Sequence, residues 1–325
     1  MSSFILPDWI DNSPKVEVTI PSNVTKDQLL AFRPFKNWLS TLRQSIAKQQ
    51  QQQQQQQRRH DQHDQHDQHD QHDQHDQHDQ HDQHDQRPPE GHRHCHDSPY
   101  QLHHITVRSV EWAGPQRILF VLLDTVVQSA SDARPLPGIV FLRGGSVAVL
   151  MIVRPDDDDD DDDRSKRFVV MTQQPRVPAG SLAFCEIPAG MIDDDEDAFV
   201  GAAATEIREE TGLVVRREEL VDMTELAVAV AVAGRDDGDH HLQGAVYPSP
   251  GGCDEFVALF FCEKSMARRD IDRLRGKLTG NRTEGEKIQV RLVEYEHLWR
   301  EGARDAKTLA AWALYENLVR EGVLG

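Results

Sequence analysis

The sequence predicts an α+β fold, because strand-like segments dominate the middle of the chain and helical segments follow them. Alternating or continuous apolar runs predict strands over residues 105–110, 118–127, 139–142, 146–153 and 168–172. Helical spacing of apolar residues predicts helices over 199–211 and 305–321. These segments suffice for a sheet covered by helices.

The first 48 residues form an N-terminal extension that contains two further elements. Residues 16–20 alternate between apolar and polar side chains, as a short strand does. Residues 26–47 carry apolar side chains at helical spacing. Pro34 must break or restart this helix, because proline lacks an amide N–H and its ring clashes with the preceding turn.

The net charge of −19 comes almost entirely from two low-complexity tracts. Residues 60–86 are nine His-Asp-Gln triplets and residues 156–163 are eight consecutive Asp, and without these acids the net charge is −2. The near-neutral remainder lacks the basic excess that nucleic-acid binding requires, so we expect no nucleic-acid partner. Nine of the 17 His also lie in the triplets, so His content is no evidence for a metal site.

The two tracts also suggest how the chain is organised. Residues 49–97 have no large apolar side chain that could join a core, which predicts a disordered linker. The Asp run lies between two predicted strands and is therefore interpreted as an expanded hairpin loop. The predicted segments are thus an extension (1–48), a linker (49–97), a β subdomain (98–142) and a main domain (143–325).

Several classes of protein are disfavoured by what the sequence lacks. The four Cys match no zinc-binding spacing, and no apolar stretch reaches the roughly 18 residues of a membrane span, so no membrane partner is expected. Residues 1–30 contain two bases, Lys15 and Lys26, beside four acids, unlike an Arg-rich targeting segment. We therefore expect a cytoplasmic protein.

Residues 186–213 carry the clearest chemical signal and read EIPAGMIDDDEDAFVGAAATEIREETGL. The sequence of residues 186–190 is typical of the end of a strand that leads into a tight loop. Carboxylates at 193–195 and 197 are placed to cap the following helix, and Gly212 is placed to end it. The apolar stripe of this helix consists of Val200, Ala203, Ala204 and Ile207.

A second stripe on the same helix is acidic. Glu206, Glu209 and Glu210 stand at positions i, i+3 and i+4, where like charges repel by a few tenths of a kcal/mol per pair, roughly. A cation between them reverses that repulsion, and oxygen ligands suit Mg²⁺ or Mn²⁺. From spacing alone, a solvated acidic helix face is the alternative interpretation.

This stretch resembles the Nudix box, Gly-x5-Glu-x7-Arg-Glu-U-x-Glu-Glu-x-Gly-U, in which U is a bulky aliphatic residue. The pattern positions are filled by Gly190, Glu196, Glu206, Ile207, Glu209, Glu210, Gly212 and Leu213. One extra residue follows Glu196, and Thr205 stands where the box has Arg. The resemblance implies a Nudix α/β/α sandwich, here with a small N-terminal β subdomain.

Further segments resemble one branch of that family, the plant-type ADP-sugar diphosphatases, which are related to the ADP-ribose diphosphatases. They include residues 138–141, 174–178, 247–255, 298–300 and 305–307. The resemblance implies Mg²⁺- or Mn²⁺-dependent hydrolysis of an ADP-sugar such as ADP-glucose to AMP and a sugar phosphate, by a homodimer formed through the β subdomain. The alternatives are an ADP-ribose diphosphatase and, given Thr205, a catalytically weak Nudix sensor of nucleotides.

The resemblance also implies which residues bind the metal. Glu206 and Glu210 match the principal ligands, and Glu209 matches a further ligand or an orienting catalytic carboxylate. The backbone carbonyl of Ala189 matches a further ligand, and Glu186 is placed to support the same metals.

Four other residues are candidates for catalysis or substrate binding by the same resemblance. Glu286 matches a metal-contacting loop residue and Glu284 a candidate base, although an acidic loop tip is the alternative. Arg176 is the candidate clamp on the pyrophosphate, because its planar fork suits phosphate oxygens. A surface ion pair is its alternative. Glu255 is expected to add a carboxylate on the substrate side, with simple loop polarity as its alternative.

Overall fold

The computed structural model describes the chain apart from residues 8, 11–12, 68–98, 130, 132–133, 157–165, 193–198, 233–240, 281–285 and 325. The strands are β1 (Ser2–Ile5), β2 (Glu17–Ile20), β3 (Tyr100–Ala113), β4 (Arg117–Ser129), β5 (Ile139–Leu142), β6 (Ser146–Pro155), β7 (Phe168–Arg176), β8 (Ser181–Glu186), β9 (Ala189–Met191), β10 (Val221–Asp222), β11 (Val257–Met266), β12 (Leu278–Thr279) and β13 (Ile288–Glu294). The helices are α1 (Lys26–Ala31), α2 (Arg33–Asp67), α3 (Phe199–Thr211), α4 (Met223–Val232), α5 (Arg268–Leu274), α6 (Leu298–Glu301) and α7 (Ala306–Arg320).

The chain divides into two compact units, of which the first comprises Met1–Ala31 and Lys36–Val140. Its sheet has the order β1-β2-β3-β4-β5, and the long strands β3 and β4 form an antiparallel hairpin. Strand β2 pairs with β3 in parallel, so the predicted extension and β subdomain share one sheet. A four-residue strand has little stability alone and gains it by pairing with a longer neighbour.

Helix α2 corrects the expected extent of disorder. The linker was predicted to be disordered from residue 49, whereas α2 continues through the nine Gln to Asp67. The prediction counted only apolar residues, but Gln is a good helix former and extends a helix that has already begun at Arg33. Residues 68–97 of the predicted linker lie outside the described residues.

The second unit comprises Phe32–Phe35 and Phe141–Gly325 and contains the sheet β10-β11-β6-β7-β13-β12, with β8 paired to β7 and β9 paired to β6. Strand β6 is parallel to β11 and antiparallel to β7. The predicted strands 146–153 and 168–172 are therefore confirmed as a hairpin, and 157–163 of the Asp run lie outside the described residues.

Both faces of the second sheet are covered, which makes three layers. Val147, Val149 and Met151 of β6 pack with α3 and α5, while Leu150 and Ile152 pack with α4 and α7. Alternate residues of a strand point to opposite faces, so one apolar run serves both cores. No helix in the described part of the chain is long and apolar enough to cross a membrane.

Helix α3 has the bounds that its pattern predicted. Ala203 and Ile207 are fully buried, and Val200 and Ala204 pack against the same core. Gly212 ends the helix with φ of +72°, a conformation that glycine adopts without strain. The acidic residues predicted to cap its start lie outside the described residues.

Candidate active site

Glu210 is a buried carboxylate near the end of α3, with 5% of the residue exposed. Its Oε1 accepts a hydrogen bond from Nε2 of Gln174 (3.0 Å), and its Oε2 accepts one from the amide of Ala189 (3.0 Å). Burial raises the pKa of Glu210 to about 7, against the lowering effect of these two hydrogen bonds. The charge of Glu186 raises this pKa further and that of Arg176 lowers it.

Glu206 lies one turn earlier on α3, directly against β9. A Cβ atom placed on Gly190 would lie 1.7 Å from Oε1 of Glu206, so no side chain fits at residue 190. Gly190 pairs with Val147 in the β9–β6 ladder, which fixes β9 beside the helix. The box glycine therefore provides the space that the Glu206 carboxylate occupies.

Glu209 and Glu286 are more open to solvent. The Glu209 side chain is 46% exposed and lies 3.5 Å from Nη2 of Arg208. The amide of Gly280 donates to the Glu209 carbonyl (3.2 Å), and a Cβ on Gly280 would lie 3.1 Å from Cβ of Glu286. The structure thus brings the exposed Glu286 to the C-terminal end of α3, whereas Glu284 lies outside the described residues.

The carboxylates of α3 fit a divalent cation by their chemistry. Each carboxylate oxygen has two lone pairs, so Glu210 retains acceptor capacity beside its two hydrogen bonds. A cation also offsets the cost of burying its negative charge. Among the described residues, no three His, Cys, Asp or Glu side chains form a preassembled metal cluster. The assignment of Ala189, Glu206, Glu209, Glu210 and Glu286 as ligands stays a prediction.

Glu186, at the end of β8, is bound by two cations. Its Oε1 lies 2.6 Å from Nε of Arg176, and its Oε2 accepts from Nζ of Lys307. The carboxylate is 3% exposed, whereas the Arg176 side chain is 41% exposed. A surface ion pair was the alternative role of Arg176 in the sequence analysis. An ion pair is present, and its carboxylate partner, Glu186, is buried. The predicted metal role of Glu186 is untested by this geometry.

Lys307 comes from the start of α7, which is fastened to the same strand end. Asp305 caps this helix by accepting from the amide (3.2 Å) and hydroxyl (2.5 Å) of Thr308. The Thr308 hydroxyl accepts in turn from the amide of Ile187 (3.1 Å). Lys307 also lies 3.0 Å from Oδ1 of Asp305. The cap therefore fixes Lys307 beside Glu186.

Glu255 lies in a separate polar group at the start of β6. Its Oε1 is 2.5 Å from Nη1 of Arg143 and 3.4 Å from the Ser146 hydroxyl. Oδ1 of Asp254 accepts from the amides of Arg143 (2.7 Å) and Gly144 (3.1 Å). The group thus braces the turn before β6, and the substrate contact predicted for Glu255 stays a prediction.

Sequence reasoning missed four residues that fix the predicted ones: Gln174, Arg143, Lys307 and Thr308. A weak signal exists for Lys307. A cation in the first turn of a helix opposes the helix dipole, so its placement there suggests a facing carboxylate. Gln174 and Arg143 have no local signal, because their partners are distant in the sequence. Thr308 has a local partner in Asp305, but its contact with Ile187 is also distant.

The fold is a mixed sheet between two layers of helices, with an acidic helix on one face and two cations at the adjoining strand end. Residues 145–313 match the NUDIX domain model. The chain is 37% identical over 228 residues to Nudix hydrolase 14, chloroplastic, of Arabidopsis thaliana, covering 70% of this chain and 67% of the relative. The chain therefore belongs to the Nudix hydrolase family, whose members generally use divalent metal ions.

The family membership confirms the resemblance on which the sequence analysis relied, and the three layers are its α/β/α sandwich. A crystal structure of an ADP compounds hydrolase is also similar, with a TM-score of 0.38 and 15% identity. That similarity covers 68% of this chain and 97% of the solved one.

Proposed function

We propose that this Nudix protein hydrolyses the pyrophosphate bond of an ADP-sugar such as ADP-glucose, giving AMP and a sugar phosphate. The observation that carries the proposal is the buried Glu210, one helical turn after Glu206 and within the electrostatic influence of Arg176. A pyrophosphate has adjacent negative charges that repel a nucleophile. Its cleavage therefore requires both a metal cation and cationic side chains of the protein.

Each residue has a stated role in this proposal. Glu206, Glu209, Glu210 and the Ala189 carbonyl hold Mg²⁺ or Mn²⁺, which neutralises phosphate oxygens when bound. Gln174 and the Ala189 amide orient the Glu210 carboxylate through their two hydrogen bonds.

The remaining roles concern the substrate and the water. Arg176 binds the pyrophosphate through the part of its side chain that solvent reaches. Glu284 or Glu286 of the β12–β13 loop is the base that accepts the proton of the attacking water. Glu209, on α3, is the second candidate for this base. Glu255 contributes a carboxylate on the substrate side. Loop residues of this kind complete a site when substrate binds.

The central test is Glu210→Gln, assayed with ADP-glucose and Mg²⁺. Loss of one buried ligand removes several kcal/mol of stabilisation, so we expect kcat to fall by about a hundredfold or more. Glu218→Gln is the matched control, because Glu218 is an exposed glutamate of the segment Arg217–Glu219 and is not among the predicted metal or substrate residues. Wild-type turnover by Glu210→Gln would show that the metal assignment is wrong.

The identity of the sugar on the preferred substrate is tested by comparing kcat/KM for ADP-glucose and ADP-ribose. A higher value for ADP-glucose supports the proposal, and a higher value for ADP-ribose replaces it with ADP-ribose diphosphatase activity. Binding of either nucleotide without turnover, in the presence of Mg²⁺, would instead identify a sensor.

Two further parts of the proposal rest on resemblance. The protein forms a homodimer through residues 98–142, which light scattering coupled to size-exclusion chromatography tests by mass. The proposed compartment is the cytoplasm, whereas the name of the Arabidopsis relative places that protein in the chloroplast. Imaging a fluorescent fusion of the full-length protein decides between the two compartments.

A further inference from the structure

The two carboxylate oxygens of Glu186 are divided between two cations from distant parts of the chain. Oε1 binds Nε of Arg176, and Oε2 binds Nζ of Lys307. The Lys307 side chain is only 16% exposed, so this contact is not a loose surface pair. Lys307 is 121 residues away from Glu186 in the sequence and reaches it from a different helix.

This division determines how much of Arg176 remains for an anion. A guanidinium has five N–H donors, and a carboxylate with two free oxygens binds two of them side by side. Here Oε2 is held by Lys307, so Glu186 contacts Arg176 through Nε alone. The Arg176 side chain is 41% exposed, and its contact with Glu186 through Nε leaves the two Nη groups outside that ion pair.

We propose that Lys307 is a positioning residue for substrate: by holding Oε2 of Glu186, it keeps the Nη groups of Arg176 available for the pyrophosphate. This inference rests on the proposed function, in which Arg176 binds the substrate. Without Lys307, Glu186 turns both oxygens to Arg176 and neutralises it as a bidentate pair. Asp305 does not replace Lys307 in this role, because it is an anion that caps α7.

The decisive experiment is a rescue in the full-length protein. Lys307→Met is expected to raise KM for the ADP-sugar by about tenfold or more with a smaller change in kcat, because binding of the ground state is lost. Adding Glu186→Gln to Lys307→Met is expected to restore KM to within a few fold. An amide offers Arg176 one acceptor oxygen and cannot form the bidentate pair, so Lys307 is then no longer needed.

Three further variants separate positioning from folding. Lys307→Arg keeps a donor to Oε2 and is expected to retain most of the affinity. Lys264→Met removes a lysine that also lies beside a carboxylate, that of Glu219 at 4.0 Å, and is expected to leave KM unchanged. If Lys307 is merely structural, Glu186→Gln worsens the Lys307→Met variant and lowers its stability in urea further, and this result overturns the proposal.

Binding of inorganic pyrophosphate, measured by calorimetry in EDTA, tests the inference apart from the reaction. We expect Lys307→Met to weaken this binding by about tenfold and the double variant to recover it. If the wild type binds pyrophosphate in this pattern but hydrolyses no ADP-sugar, the proposed function fails and the inference holds. Equal binding by wild type and Lys307→Met, or no binding by the wild type, overturns the inference.

Discussion

Gly190 and Glu206 approach each other so closely that a Cβ on the glycine would lie 1.7 Å from Oε1 of the glutamate. Real Cβ atoms do not come so near an oxygen, so one of the two groups has to move if residue 190 gains a side chain. Gly190 is held by its pairing with Val147 in β6, which is fully buried. The carboxylate is therefore the group that yields.

We predict that Gly190→Ala lowers kcat for the ADP-sugar by about a hundredfold while the protein still folds, because displacement of a positioned group by about 1 Å has an effect of that size. Gly244→Ala is the matched control, since a Cβ there meets nothing within 4 Å. Steady-state kinetics and far-ultraviolet circular dichroism check both variants. Unimpaired turnover by Gly190→Ala would mean that Glu206 has no fixed role.

Gln174 supplies the side-chain hydrogen bond to the buried Glu210, and we predict that Gln174→Leu weakens metal binding. The variant leaves Oε1 of Glu210 without this donor, which costs about 1–3 kcal/mol and loosens the carboxylate. The Mg²⁺ concentration for half-maximal activity is expected to rise by about tenfold or more.

The matched control for this change is Gln289→Leu, because Gln289 is exposed and makes only a long contact of 3.5 Å to the Gly276 carbonyl. Magnesium titrations of activity and of thermal stability compare the two variants. An unchanged magnesium requirement in Gln174→Leu would remove Gln174 from the site.

Elements with a local pattern were predictable from the sequence. The apolar stripe and Gly212 fixed the bounds of α3, and the run at 139–142 coincides with β5. Helix α7 occupies Ala306–Arg320, within the predicted 305–321, because its apolar spacing repeats at every turn. The order and spacing of the box residues predicted the family in the same way, from a local pattern.

Two ion pairs around the site were not predictable, because they join residues far apart in the sequence. Arg143 and Glu255 are separated by 112 residues, and Glu186 and Lys307 by 121. No periodicity spans such distances. The pairing of β6 with β11 brings Arg143 to Glu255, and the bond from Ile187 to Thr308 brings the start of α7 to Glu186. The continuation of α2 through the Gln tract was missed for another reason. The prediction asked whether apolar residues could be buried and did not consider the helix propensity of Gln.

Thr308 joins helix α7 to the strand end that carries Glu186, and we predict that Thr308→Val destabilises the protein. Valine has nearly the same shape but leaves the amide of Ile187 without its 3.1 Å acceptor and Asp305 without its hydroxyl donor. The free energy of unfolding is expected to fall by about 1–3 kcal/mol. Thr308→Ser keeps the hydroxyl and is expected to lose less, and urea unfolding of the two variants measures the difference. Equal stability of Thr308→Val and wild type would contradict the role of this hydroxyl.

The low-complexity tract is predicted to be dispensable for turnover, and the structure shows where to join the chain without it. Oε1 of Gln49 accepts from the amide of Tyr100 (3.2 Å), so the two ends of the tract are adjacent. Deletion of residues 49–97 therefore joins neighbouring segments of the chain and is expected to leave kcat/KM within a few fold of wild type.

The same deletion removes that hydrogen bond and the one from Nε2 of Gln50 to the Ser13 hydroxyl (3.5 Å). Because one such bond contributes about 1 kcal/mol, we expect Tm of the deletion variant to fall by a few degrees. A Gly-Ser sequence of equal length in place of residues 58–97 keeps both glutamines and is expected to preserve Tm as well as turnover. A large loss of turnover in this replacement variant would show that the sequence of residues 58–97 serves the reaction, because the length of the tract and both glutamine contacts are unchanged.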